Sequence, residues 1–143
     1  MTRRAPSLSP DAPIRMVGGR AQYFVLKDRV PVPTNLWTWA TSVETNAGRH
    51  VGDDTIERPG AQSLRVSTIF LGLDHSFGDG PPVLFETMVF GDTDLDYNQV
   101  RYSTYDEAEA GHKALVEWAR REQELTSQGM QAVLAKAKGK ANA

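Results

Sequence analysis

No cysteine occurs among the 143 residues. That removes disulfides, thiolate zinc sites and cysteine nucleophiles together, and it suits a reducing compartment. Long apolar runs are missing too. Nothing approaches the roughly 18 consecutive apolar residues of a membrane span, so a membrane is not an expected partner. The opening MTRRAPSLSPDAP has two arginines with no apolar stretch behind them, and a secretory signal is not expected. Neither charge sign dominates: 16 Lys and Arg face 18 Asp and Glu, a net charge of -2. Without a global basic field, nucleic acid is not an expected partner either. Several catalytic signatures are also absent. Gly78-Asp79-Gly80-Pro81-Pro82 cannot cradle phosphate, because its centre is acidic and its prolines lack amide donors. There is no GxSxG elbow, no HExxH and no HxH, so no catalytic residue, metal or cofactor is assigned.

What is present is ordinary globular material. Hydrophobic residues make up 40% and charged residues 24%, enough to bury a core without help. The length fits one domain. Residues 1–20 hold three of the eight prolines and the Gly18-Gly19 pair without hydrophobic periodicity, and read as a flexible arm. A single domain is expected over 21–138, with 139–143 as a fraying tail.

The domain reads as α+β, an antiparallel sheet of about five or six strands over residues 21–102 followed by helices. Gln22 to Lys27 is a short aromatic and β-branched run, and Pro31 and Pro33 demote the next stretch to an edge or connection. Leu36 to Glu44 alternates, with Trp37, Trp39, Thr41 and Val43 on one side, and is expected as a strand with two tryptophans on one face. Arg49 to Glu57 can return as its partner. Leu64 to Leu73 and Val83 to Phe90 are the most strand-like windows, and Tyr97 to Tyr102 makes a further short strand. Thr104 with Glu107 has capping-box spacing, which predicts a long helix over about 105–125, and a short second helix starts near Ser127.

The connection from Asp74 to Pro82 is longer than a hairpin loop usually is, and long ordered loops are disproportionately functional. Asp74 and His75 bring a carboxylate and an imidazole to its start, although neighbours in an extended chain face opposite ways. The alternative is that Asp74 caps the turn and His75 packs at the sheet edge. Glu86 is a lone carboxylate in VLFETMVF, either a functional acid or the partner of Arg65 or Arg101. His50, His75 and His112 lack metal-ligand spacing, and His112 falls on the apolar stripe of the helix. Phe77, Tyr97, Arg101, Tyr102 and Tyr105, with the tryptophans, form an inventory able to stack and pair with a planar anion, or to serve as sheet core with a peripheral ion pair.

The stretch VSTIFLGLDHSFGDGPPVLFETMVFG, followed by RYSTYDEAEAGHKALV, resembles a family of small proteins encoded in tailed phages and prophages. The shared block runs from about Val66 to Val116. The resemblance implies expression in a bacterial cytoplasm and assigns no reaction. In plan the chain is also similar to phage anti-defence proteins, including the anti-Thoeris sponges, that sequester cyclic nucleotide or ADP-ribose-type signals. The expectation is therefore a non-enzymatic binding protein, with Asp74, His75, Phe77, Asn98, Arg101 and Tyr102 around a small anionic nucleotide-type ligand and a second copy completing the site. Two alternatives stand beside it. One is a protein-interaction or minor virion protein using a sheet surface, and the other a hydrolase using His75 with Asp74 or Glu86.

Overall fold

A computed structural model describes residues 9–45, 48–76, 78–91, 95, 99–122 and 124–142. The chain is α+β, as its pattern predicts. Among the described residues the strands form three antiparallel sheets in place of the single expected sheet. Strands β1 (Met16–Val17) and β2 (Arg20–Ala21) form a small hairpin, and β3 (Tyr23–Lys27) pairs with β4 (Val30–Thr34). The third sheet orders β5 (His50–Ile56), β6 (Leu64–Phe70), β7 (Phe85–Phe90) and β8 (Gln99–Tyr102) in sequence. Pro31 and Pro33 lie in β4 opposite Leu26 and Phe24, an edge position where a missing amide is tolerated. The β3–β4 hairpin hooks onto the chain leaving β6, where the Phe24 amide donates to Gly72 O at 2.7 Å and the Asp74 amide to Gln22 O at 3.1 Å.

The expected strand with two tryptophans is instead a helix, α1 (Leu36–Thr45). Asn35 decides this locally: its Oδ1 accepts from the Thr38 amide at 2.8 Å, while its Nδ2 donates to Pro10 O and Ala12 O. Leu36, Trp37, Ala40 and Val43 also satisfy a helical period, so alternation in so short a window is ambiguous. Trp39 donates its indole N–H to Leu71 O at 3.0 Å and stacks obliquely on Tyr23.

The long helix α2 (Tyr105–Arg121) begins where the capping box places it. The Glu107 amide donates to Thr104 Oγ1, and the Thr104 amide to Glu107 Oε1. Its stripe of Ala108, His112, Leu115 and Ala119 is buried against one face of the β5–β8 sheet, on Leu64, Val66, Phe70, Phe85, Val89 and Tyr102. Each fully buried Leu, Val or Phe there contributes about 2 kcal/mol. α3 (Ser127–Ala141) is capped by Thr126 and packs on α2 through Met130 and Leu134.

Two boundary expectations change. Residues 9–20, expected within a flexible arm, are bound to the domain through Asn35 and Arg20. The second helix is longer than expected and includes 139–141; Asn142 Nδ2 donates to the buried Glu107 carboxylate at 2.9 Å, tying the end of α3 to the start of α2.

Candidate functional site

Asp74 lies just beyond β6, where the chain turns into the long connection. Its Oδ1 accepts from the Ser76 and Val83 amides at 2.8 and 3.1 Å, and Oδ2 accepts from Arg20 Nη2 at 3.3 Å. Burial alone would raise its pKa. Hydrogen bonds from Ser76, Val83 and Arg20 outweigh that and hold it below the usual carboxylate range. Arg20 also donates to Ser76 Oγ and Gly78 O. Asp74 is thus the staple of the loop, the alternative role its sequence position allowed. His75 is half-buried, and its amide donates to Val83 O. Phe77 and Asn98 lie outside the described residues.

Arg101 and Tyr102 are separated by the sheet. Arg101 projects to the side away from α2, donating Nε to Glu86 Oε2 and Nη2 to Gln99 Oε1, both at 3.1 Å. Tyr102 is 1% exposed under α2, with its hydroxyl 3.2 Å from Thr87 Oγ1. Burial is the main force pushing its pKa up to about 12; the Thr87 hydrogen bond opposes this and the Glu107 charge adds to it. The period of two that parts Asp74 from His75 parts these neighbours as well. Arg101 and Tyr102 of the expected pocket therefore lie on opposite sides of the sheet. Among the described residues no cluster of His, Asp and Glu is arranged to hold a metal. Both carboxylates of the hydrolase alternative are engaged, Asp74 in the loop and Glu86 by Arg101.

Two other constellations take shape on the β5–β8 sheet. On the covered face, Asp54 Oδ2 lies 2.6 Å from His112 Nε2, and His112 Nδ1 lies 2.8 Å from Thr68 Oγ1. Thr68 Oγ1 is 2.6 Å from Thr87 Oγ1, which continues to Tyr102. One proton assignment satisfies every donor: Tyr102 donates to Thr87, Thr87 to Thr68, Thr68 to Nδ1, and the Nε2 proton to Asp54. The order carboxylate, imidazole, hydroxyl is that of a nucleophilic relay. However, Thr68 and Thr87 are 0% exposed, so no substrate can reach either oxygen. The chain satisfies its own buried groups and fixes α2 on the sheet. Two glycines make room for it, since a Cβ on Gly52 would come within 2.4 Å of the His112 ring and one on Gly111 within 2.5 Å of the Tyr102 hydroxyl.

Thr68 and Thr87 are legible in outline from the sequence. Each falls on the apolar phase of its strand, Leu64-Val66-Thr68-Phe70 and Phe85-Thr87-Val89, and a hydroxyl in that phase must find a buried partner. Asp54, 58 residues before His112, gives no such signal.

The opposite face carries Asp53 and Thr55 on β5, Arg65, Ser67 and Ile69 on β6, Glu86, Met88 and Phe90 on β7, and Gln99 and Arg101 on β8. Helix α2 packs on the other side, and this more open face is half-buried at Ser67, Ile69 and Met88, buried at Glu86 and exposed at Phe90. The register puts Phe90 opposite Arg65, Met88 opposite Ser67 and Glu86 opposite Ile69. Phe90, Met88 and Ile69 thus make a diagonal apolar stripe, with Phe90 43% exposed. An ion pair flanks each side. Arg65 holds Asp53 through two bonds of 2.9 and 3.0 Å, and Arg101 holds Glu86. The Arg65 hydrogen bond is the main cause that keeps Asp53 below the usual carboxylate range. This charge-bordered apolar stripe, exposed at Phe90 and half-buried at Met88 and Ile69, is the candidate site.

No helix among the described residues is long and apolar enough to cross a membrane. Comparison of the chain with protein-family models, with curated proteins and with solved structures finds no match.

Proposed function

We propose that this chain is a non-enzymatic binding module that docks a protein partner on the open face of its β5–β8 sheet, and that this partner is a second copy of the chain. The observation that carries the reading is the charge order across that face. From β5 to β8 it runs Asp53, Arg65, Glu86, Arg101, alternating in sign about the apolar stripe. A twofold axis parallel to the strands reverses strand order in the facing copy. Asp53 then lies on the strand facing Arg101, two residues away along the strands, and Arg65 on the strand facing Glu86, four residues away. The arginines must lean along their strands to reach their opposites, as Arg65 already leans toward Asp53, while the stripes bury one another.

Four strands about 4.8 Å apart give a face about 20 Å wide, so the pairing is small and reversible. The resemblance to phage and prophage proteins makes a phage-encoded assembly the setting we propose. Capture of a nucleotide-type ligand would need Arg101 and Tyr102 on one side of the sheet, and they lie on opposite sides.

Sedimentation across a concentration series tests the pairing. The unaltered chain is expected to show a monomer–dimer equilibrium, and Met88→Glu to remain monomeric. Exchanging one pair, Glu86→Arg with Arg101→Glu, keeps the intramolecular ion pair but sets like charges against each other across the axis, and should abolish the dimer. Adding Asp53→Arg with Arg65→Asp restores the alternation and should restore the dimer. A dimer indifferent to the single exchange, or a chain monomeric throughout the series, overturns the proposal.

A further inference from the structure

On the far side of the molecule, the outer surfaces of α2 and α3 enclose a groove of about 360 Å³. Ala110 and Ala114 on α2, and Val133 and Ala137 on α3, form its floor. Each pair is four residues apart, one helical turn, so small side chains line a trough that runs along both helices. Its rim is strongly biased in charge: Lys113, Arg121, Lys136 and Lys140 against Glu117 alone, four cations and one anion, net +3, in a chain whose total is -2. Lys113 and Arg121 each approach a carboxylate, Glu109 at 3.6 Å and Glu122 at 3.5 Å. Lys136 and Lys140 have no ion-pair partner among the described residues.

We propose that this groove is a docking site for an acidic amphipathic helix of a partner protein. The small floor lets a third helix approach closely, as ridges pack into grooves. An apolar stripe on that helix would cover Ala110, Ala114, Val133 and Ala137, and its flanking carboxylates would meet Lys136 and Lys140 on one wall and Lys113 and Arg121 on the other. Nucleic acid fits less well, because Glu117 stands between Lys113 and Arg121 and the chain has no net positive field to gather a polyanion. A lipid surface would ask for larger apolar side chains than alanine and valine.

The groove is on the helix side and the pairing face is on the opposite side of the sheet, so the two proposals stand or fall separately. A self-paired chain would present two such grooves outward, and binding to a two-site partner would gain from effective concentration.

The probe is a fluorescein-labelled peptide of about 18 residues, five helical turns, with leucine on one face and glutamate on the other. Its controls are the same peptide with lysine for glutamate, and a short DNA duplex. Fluorescence polarisation should show that only the acidic peptide binds, more weakly as salt rises. Lys136→Glu with Lys140→Glu should weaken it about tenfold or more, the scale of losing two close charge pairs. Ala110→Leu, which fills the trough without changing charge, should also weaken it, while Lys27→Glu on β3 should not. The same results are expected on the monomeric Met88→Glu chain. Equal binding of the acidic and basic peptides, preference for the duplex, or indifference to both groove variants overturns the proposal.

Discussion

The two faces of the β5–β8 sheet use similar residues to opposite ends. Both carry polar side chains on the central strands: Thr68 and Thr87 toward α2, Ser67 and Glu86 away from it. On the covered side the polar groups form one continuous chain from Asp54 to Tyr102, because a buried hydroxyl without a partner costs about 1–3 kcal/mol. On the open side they form two separate ion pairs with an apolar stripe between them. Water can complete the solvation of Arg65 and Asp53, so that pair contributes little to folding and remains available to a partner, whereas Glu86 is itself buried and depends on Arg101. A polar group is structural or available according to which side of its strand it occupies.

Removing the imidazole should break this contrast most visibly. His112→Ala opens a cavity under α2 and leaves Thr68 without its acceptor, and is expected to lower stability by about 3–5 kcal/mol in denaturant unfolding. A loss below about 1 kcal/mol would mean that the covered chain is no more structural than the open face.

Alkaline pH gives the next effect. An unfolded tyrosine titrates near 10, whereas Tyr102 titrates at about 12 in the fold. The folded state therefore favours the neutral phenol. Its stabilisation is fully present below pH 10 and is lost as pH rises through about 12, a difference worth about 3 kcal/mol. Urea midpoints measured across that window should fall steeply, and Tyr102→Phe should flatten the slope. An identical slope in that variant would place the alkaline sensitivity elsewhere.

The smallest effect belongs to the open face. Met88→Glu, which should abolish pairing, is expected to change the unfolding free energy of the monomer by less than about 0.5 kcal/mol. A loss of several kcal/mol would show that the stripe is part of the core and that the faces do not differ in the way described.

Much of the architecture can be read from local pattern. The capping box of Thr104 and Glu107 starts α2 where expected, because both partners sit within one turn. The strands around Leu64–Phe70 and Phe85–Phe90 follow from β-branched and aromatic alternation, and the pairing of Glu86 with one of two arginines follows from the cost of an unpaired charge. Leu36–Thr45 alternates like a strand and folds as a helix, since ten residues with apolar side chains at several spacings fit either period until the Asn35 cap is weighed. Two residues of the expected site part for a related reason: Arg101 and Tyr102 are adjacent in sequence, and in a strand that adjacency sets side chains apart.

The sequence by itself therefore determined the α+β class, the central hairpin, the two C-terminal helix starts and the sets of residues that share a strand side. Alternation, however, says only that odd and even positions part company. Tertiary structure alone decided which set α2 covers, and with it that Thr87 is buried with Tyr102 while Glu86 and Met88 face outward. It also decided that Asp54 meets His112 across 58 residues, because that contact depends on where a helix docks on a sheet, and helix docking is set by the summed burial of many side chains and by no local signal.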